Sequence, residues 1–198
     1  MYNILTLNKI SKKGLSLFNS NYSCSNTIEN PDAILVRSAS LLNLNFNNEL
    51  LAISRAGAGV NNIPIDKCSE NGIIVFNTPG ANANAVKELV ISALFISSRK
   101  IIEAIEFCKT LKTCDKNISK IIEKEKSKFA GPEIKNKKLG VIGLGAIGKL
   151  VANAACDLSM DVYGYDPYIS IDSAWGLSDN VKLITSIDKL FSICDYIS

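Results

Sequence analysis

The stretch Lys138-Leu139-Gly140-Val141-Ile142-Gly143-Leu144-Gly145-Ala146-Ile147-Gly148-Lys149 decides how the chain is read. A lysine-rich run gives way to a short apolar one, then to Gly-x-Gly-x-x-Gly, then to Leu150-Val151-Ala152-Asn153-Ala154-Ala155. That order reads as buried strand, tight turn and helix, the context in which a glycine triplet becomes a dinucleotide-binding fingerprint. In such a motif Gly143 allows the turn, Gly145 lets a pyrophosphate approach the backbone, and Gly148 lets helix pack on strand. The helix N-terminus adds free N–H groups and the positive end of its dipole. Downstream, Met160-Asp161-Val162-Tyr163-Gly164-Tyr165-Asp166 reads as a second strand ending in an acid. Asp166 follows Gly143 by 23 positions, close to the roughly 20 expected of a carboxylate that holds a ribose. The competing reading is a glycine-rich strand–helix turn with no ligand.

Outward from this turn the chain alternates strands and helices, which argues for parallel sheets covered on both faces. Strands are predicted over 2–7, 32–36, 50–54 and 73–76, with a weak helix over 11–18 interrupted by Gly14. The strand over 32–36 delivers Arg37 and Ser38 to its carboxyl end, and that over 50–54 runs into the glycine loop Arg55-Ala56-Gly57-Ala58-Gly59-Val60-Asn61-Asn62. A helix follows Pro64 and ends at Gly72. Asn82 or Asn84 is placed to cap a long helix with Val86, Leu89, Val90, Ala93, Leu94 and Ser97 on one stripe. No glycine or proline interrupts 81–130, so this helix is expected to continue past Arg99 and cross between two domains. After the fingerprint come a helix over 147–158, a strand over 161–165 and a loop through Pro167 and Trp175. A strand over 181–184, a helix over 187–193 and a strand over 195–198 complete the series.

The composition narrows the function. At 198 residues, 47% apolar and 21% charged, the chain matches an ordinary soluble globular protein of one large or two small domains. A net charge of +3 is too small for the electrostatic footprint of a nucleic-acid binder. The lysines between Lys109 and Lys138 are interleaved with Glu123, Glu125 and Glu133, as on a solvated helix and connector. Six cysteines form no Cys-x-x-Cys pair and there is no histidine, so zinc spacing is absent and no metal site is expected. Reduced thiols and the lack of a signal peptide point to the cytoplasm. The most apolar run, 89–96, is far shorter than the ~18 residues of a membrane span, so neither membrane nor nucleic acid is an expected partner.

These residues resemble the D-isomer-specific 2-hydroxyacid dehydrogenases, most closely the members that act on 3-phosphoglycerate. The resemblance rests on Ile34-Leu35-Val36-Arg37-Ser38-Ala39-Ser40, on Arg55-Ala56-Gly57-Ala58-Gly59-Val60-Asn61-Asn62-Ile63, and on Asn77-Thr78-Pro79-Gly80-Ala81-Asn82-Ala83-Asn84-Ala85-Val86-Lys87-Glu88-Leu89. It continues through Glu133-Ile134-Lys135-Asn136-Lys137-Lys138-Leu139-Gly140 into the fingerprint. It implies an α/β chain in which a flavodoxin-like substrate domain, 1–98, precedes the first half of a Rossmann NAD-binding domain, 99–198. By resemblance Arg37, Ser38 and Asn82, with backbone N–H groups around Gly59, hold the substrate's phosphate or carboxylate. Ala58 touches the nicotinamide side of NAD, Gly143, Gly145, Ala146, Ile147 and Gly148 present backbone to the pyrophosphate, and Asp166 holds the adenosine ribose. Arg37, one of three arginines, stands at a strand's carboxyl end, where ligands of such sheets bind; its fork suits carboxylate or phosphate. Asn61, Ala146 and Lys87 depart from residues common in the family, and Ala146 removes a basic side chain that often covers the pyrophosphate.

The resemblance also implies that the family's carboxylate-orienting arginine, its acid/base histidine and the glutamate that tunes it come after Ser198. No catalytic residue is therefore expected in this chain, which is read as a truncated N-terminal portion that does not turn over alone. The leading expectation is NAD-dependent oxidation of 3-phosphoglycerate to 3-phosphohydroxypyruvate in serine biosynthesis. In the complete protein a homodimer would form through the NAD domain. The alternatives are another D-2-hydroxyacid dehydrogenase, such as a glyoxylate or hydroxypyruvate reductase, and a non-catalytic NAD-binding or dimerising protein.

Overall fold

The computed structural model describes residues 1–111 and 117–198, leaving aside the side chain of Asp172. The chain divides into two compact units, Met1–Asn82 and Ala83–Ser198.

The first unit holds β1 (Tyr2–Leu7), α1 (Lys12–Leu15), β2 (Tyr22–Ser25), β3 (Ala33–Val36), β4 (Ala52–Arg55), α2 (Ile65–Glu70) and β5 (Ile74–Phe76). Its five strands run parallel in the order β2-β1-β3-β4-β5, the flavodoxin-like order, whose switch point lies between β1 and β3. Alternation along the strands puts Leu5, Leu7, Ile34, Val36, Ile53 and Val75 in one apolar cluster with Leu41, Leu50, Ile63 and Cys68. Strand β2 was not foreseen: Tyr22-Ser23-Cys24-Ser25 is short and polar because it is a sheet edge. The predicted helix over 11–18 contracts to α1. Parallel strands usually need a helical crossover, yet no helix lies between β2 and β3 or between β3 and β4. Loops do that covering here, and Ile74 and Phe76 stay more than half exposed.

The second unit begins with α3 (Ala83–Arg99), α4 (Ile101–Thr110), α5 (Ile118–Glu125) and a 3-10 turn (Lys126–Phe129). It continues with β6 (Lys138–Ile142), α6 (Ala146–Asp157), β7 (Asp161–Tyr165), α7 (Ile171–Trp175), β8 (Lys182–Leu183), α8 (Ile187–Ile193) and β9 (Tyr196–Ile197). Its strands are parallel in the order β8-β7-β6-β9, which is 3-2-1-4 of the Rossmann arrangement. Strand β9 pairs with β6 on the side away from β7, so the switch point of that arrangement falls within these residues.

Three expectations change here. The boundary falls after Asn82 rather than at 98–99, because α3 packs against α6 and contributes Leu94, Val90 and Ile91 to the core of Leu139, Val141, Val151 and Val162. The buried stripe of α3 is Ala83, Leu94 and Ser98, with Val90 and Ile91 partly buried, whereas Leu89 is 69% exposed. Second, the long helix stops at Arg99: Lys100 is left-handed at φ 48°, and α4 starts afresh after it. Residues 112–116, over which the helix was expected to continue and which include Cys114, lie outside the described residues. Third, the expected loop through Trp175 contains α7, capped by Ser170 Oγ accepting from the Ser173 N–H. The lysines beyond α4 meet their interleaved acids, Lys126 with Glu123 at 2.5 Å and Lys128 with Glu125. The hydrogen bond from Lys128 holds the Glu125 carboxyl below its usual range. Among the described residues no helix is long and apolar enough to cross a membrane.

Candidate functional site

In the first unit the site is built at the carboxyl ends of β1, β3, β4 and β5. Asn8 follows β1 at φ 66°, a conformation that asparagine tolerates better than most residues. Its Oδ1 accepts from the N–H groups of Ser38 (2.9 Å) and Ala39 (2.6 Å) just past β3. Arg55 ends β4; its Nε donates to the Arg37 carbonyl at 3.1 Å and its Nη1 to the Gly59 carbonyl. Buried Asn62 donates from Nδ2 to the Ala39 carbonyl at 2.7 Å, and its own carbonyl accepts from the Leu41 N–H at 2.8 Å. After β5, Asn77 Nδ2 donates to the Ala58 carbonyl at 2.7 Å, and the Thr78 N–H donates to the Gly57 carbonyl at 3.0 Å. Polar side chains thus pin the loops, which suits a unit in which the β2–β3 and β3–β4 crossovers lack helices. Arg37 and Ser38 are exposed at the strand end, and among the described residues no carboxylate pairs with Arg37 or Arg55.

In the second unit the glycine turn is held by backbone. Gly143 has φ 86°, and its N–H donates to the Tyr165 carbonyl at 2.8 Å. A Cβ on Gly148 would stand 1.8 Å from the Gly143 carbonyl oxygen, so glycine is what lets α6 close on the turn; a Cβ on Gly145 would meet nothing within 4 Å. The turn therefore has open room for a bound group beside the first turn of α6, where Ala146 and Ile147 lie exposed. Asp166, directly after β7, accepts from the Leu144 N–H at 2.8 Å through Oδ2 and from the Tyr168 N–H at 2.9 Å through Oδ1. Each carboxylate oxygen keeps accepting capacity for a hydroxyl. Next to it lies a hollow of about 370 Å³ lined by Asp166, Pro167, Ile169, Leu183, Ile184 and Thr185 among others. Glycine turn, helix start, carboxylate and hollow fit a dinucleotide: room at the phosphates, acceptors at a ribose, apolar walls for a base.

Arg55 connects the Arg37 and Gly59 loops, and the Gly143 turn is joined directly to Asp166 through Leu144. Asn82 is exposed just before α3, and no described hydrogen bond joins it to Arg37, Ser38 or Gly59. The side chain of Asn84 is occupied by Glu88 and Lys87 within α3, so it is not the cap of that helix. Ala58 belongs to the first unit, and the other residues expected to hold the cofactor belong to the second. Asn8, Arg55, Asn62 and Asn77 had been given no role. The signal available for them was their polar type at strand ends, but each has a partner 18 to 31 residues away along the chain.

The model of the family described as "D-isomer specific 2-hydroxyacid dehydrogenase, catalytic domain" matches residues 6–174. Among curated relatives, D-3-phosphoglycerate dehydrogenase of Methanocaldococcus jannaschii is 34% identical over 174 residues, covering 86% of this chain and 31% of that protein. The enzyme of the same name from Mycobacterium leprae is 35% identical over 170 residues, covering 84% and 30%. The chain thus spans under a third of the length of these relatives. NAD+-bound 3-phosphoglycerate dehydrogenase in Entamoeba histolytica superposes with a TM-score of 0.66 at 25% identity, over 99% of this chain and 61% of that one. A 2-hydroxyacid dehydrogenase from Ketogulonicigenium vulgare shares the fold, with a TM-score of 0.74 at 20% identity over 98% of this chain and 62% of that one. On the match over residues 6–174, the chain belongs to the D-isomer specific 2-hydroxyacid dehydrogenase family.

Proposed function

We propose that these residues carry the substrate loops and the adenosine side of the cofactor site of an NAD-dependent enzyme that oxidises 3-phosphoglycerate to 3-phosphohydroxypyruvate, opening serine synthesis in the cytoplasm. The observation that carries the reading is Asp166 at the carboxyl end of β7, joined to the glycine turn through the Leu144 N–H. A carboxylate there accepts from ribose hydroxyls and repels a 2′-phosphate, which favours NAD over NADP. NAD, when bound, supplies the acceptor for the hydride leaving C2. Arg37, Ser38, Asn82 and N–H groups around Gly59 hold and orient the acid. Ala58 lies on the nicotinamide side, and the backbone at Gly143, Gly145, Ala146, Ile147 and Gly148 faces the pyrophosphate. The 198 residues contain no histidine, and proton transfer is assigned to none of them. Identity of 34–35% to D-3-phosphoglycerate dehydrogenases supports this acid over the substrates of glyoxylate or hydroxypyruvate reductases.

In the same reading two copies pair through the second unit. Helix α4 buries none of its residues; Ile101, Ile102 and Ile105 are exposed there, as are Phe95 and Ile96 on α3. A second reading is nucleotide binding and dimerisation without turnover; Arg37 beside Ser38, which among the described residues forms no ion pair, weighs against it.

Calorimetric titration with NAD and NADP tests the cofactor assignment. NAD is expected to bind more tightly, with Asp166→Ala weakening NAD about tenfold or more through loss of charge-assisted hydrogen bonds and narrowing the gap to NADP. Equal affinity for the two cofactors in the unmodified chain overturns the assignment.

A further inference from the structure

We propose that Arg55 is the positioning residue of the substrate loops, acting through its hydrogen-bonding fork rather than through its charge. This rests on the reading that those loops bind an anionic acid. In the β3–β4 register Arg55 is the partner of Val36, so its side chain starts one residue before Arg37 on the neighbouring strand. Nε takes the Arg37 carbonyl at 3.1 Å, Nη1 takes the Gly59 carbonyl, and a longer contact of 3.4 Å runs from Nη1 to Asn61 Oδ1. The main chain of the same residue extends the connection. The Arg55 carbonyl accepts from the Gly57 N–H at 2.9 Å and from Thr78 Oγ1 at 3.3 Å. Loops leaving β3, β4 and β5 therefore meet at one residue.

The chemistry of these contacts distinguishes a fork from a charge. Every acceptor is a neutral carbonyl or amide oxygen, and among the described residues no carboxylate forms an ion pair with Arg55. A point charge would hold neutral carbonyls weakly, whereas a planar guanidinium offers several N–H donors at fixed angles. Lysine keeps the charge but has no planar fork with which to hold the Arg37 and Gly59 carbonyls in the same geometry. A Cβ on Gly59 would stand 2.9 Å from Nη1, so the bare glycine is part of the same fit. The fork sets the course of the backbone at Arg37–Ser38 and at Gly57–Gly59, the two segments assigned to the substrate anion.

The test uses the 198-residue protein, with amide hydrogen exchange followed by NMR and binding followed by titration with 3-phosphoglycerate. In Arg55→Lys, exchange at Gly57 and Thr78 is expected to rise about tenfold, with Ile34 and Ile53 in the core strands unchanged. Affinity for 3-phosphoglycerate is expected to fall about tenfold, as when a charged hydrogen bond is lost. If Arg55→Lys keeps both the exchange pattern and the affinity, Arg55 acts as a charge and the proposal is overturned. Should Arg55→Lys also release the core amides, Arg55→Gln is the second variant, since it drops the charge but keeps a planar amide N–H donor for one of the two carbonyls. Exchange at Gly57 and Thr78 is expected to stay closer to that of the unmodified protein than in Arg55→Lys; exchange as fast as in Arg55→Lys overturns the proposal. If the unmodified chain does not bind 3-phosphoglycerate while the exchange response holds, the brace stands and the assigned substrate falls.

Discussion

The two units solve the same problem, holding a loop at the carboxyl end of a parallel strand, by different means. In the second unit the turn after β6 is fixed mainly by backbone: Gly143 in its left-handed conformation, Gly148 without a side chain, and the Gly143 N–H on the Tyr165 carbonyl, with a single side chain, the Asp166 carboxylate, accepting from the Leu144 N–H. In the first unit the loops after β1, β3, β4 and β5 are tied by side chains, those of Asn8, Arg55, Asn62 and Asn77. The difference follows from what covers each sheet. Helix α6 packs directly behind the glycine turn, whereas the connections β2–β3 and β3–β4 supply no helix to press their loops into place. A loop backed by a helix can be specified by steric fit; a loop backed only by other loops needs directional polar contacts.

The largest effect separating the two modes is expected at Gly148. An added Cβ would lie 1.8 Å from the Gly143 oxygen and 2.9 Å from its carbonyl carbon, both backbone atoms that no rotamer change can move. Gly148→Ala should therefore shift α6 off the turn and cost about 3 kcal/mol, the upper end of ordinary overpacking. Thermal unfolding followed at residues of the second unit reads this directly. Gly145→Ala is the matched control: its Cβ enters open space, so the melt should hold while NAD affinity falls. If Gly148→Ala melts like the unmodified chain, the turn is not fixed by steric fit and the contrast between the units fails.

Asn8 carries the corresponding weight in the first unit. Asn8→Ala removes the acceptor shared by Ser38 and Ala39 and puts alanine at φ 66°. Losing a capping oxygen costs ~1 kcal/mol and a left-handed residue another ~1 kcal/mol, so about 2 kcal/mol is expected in all. Asn8→Gly should restore the backbone share and lose only the bonds, while Asn8→Asp should keep both. Urea unfolding observed at β1 and β3 ranks the three. A harmless Asn8→Ala would show that the loops after β1 and β3 hold themselves without the side chain.

The same contrast explains what was legible in the sequence. The turn geometry of Gly143 and Gly148 could be read because a steric demand leaves a fixed spacing along the chain. The parallel α/β fold followed from the strand–helix alternation, and the positions of Arg37 and Asp166 at strand carboxyl ends from the apolar runs before them. Asn8, Arg55 and Asn62 could not be read, since each bonds to a carbonyl or N–H 18 or more residues away and any polar residue looks alike until the strands are paired. Polar β2 was missed because an edge strand need not alternate. The break at Lys100 was missed because a left-handed lysine carries no glycine to announce it. Of the stripe expected on α3, Val90 and Leu94 do face the core, whereas Leu89, Ala93 and Ser97 are exposed, because periodicity fixes a spacing and not how wide the face against α6 is.

The smallest effect is expected at a place where a side-chain pair also joins strands of the second unit. Lys182 on β8 meets Asp161 on β7 at 2.9 Å, with both side chains about half exposed, 55% and 44%. The Lys182 ammonium also lies 5.2 Å from the centre of the Tyr163 ring. The hydrogen bond to Asp161, followed by the charge of that carboxylate, raises the Lys182 pKa above its ordinary value. A raised value in the folded state means that the proton is held more tightly there than in the unfolded chain. Its contribution is therefore fully present below the ordinary lysine pKa of about 10.5 and is lost as pH rises through the folded value. Stability between pH 7 and 9 should not respond to this pair. Asp161→Asn should return the Lys182 pKa, read by NMR at Nζ, toward its ordinary value and leave the melting temperature within about 2 °C, as exposed pairs generally do. Raising the salt concentration should weaken what remains. A melting shift as large as that of Gly148→Ala would mean that β8 depends on a surface ion pair, and the second unit would then be held by side chains as much as the first.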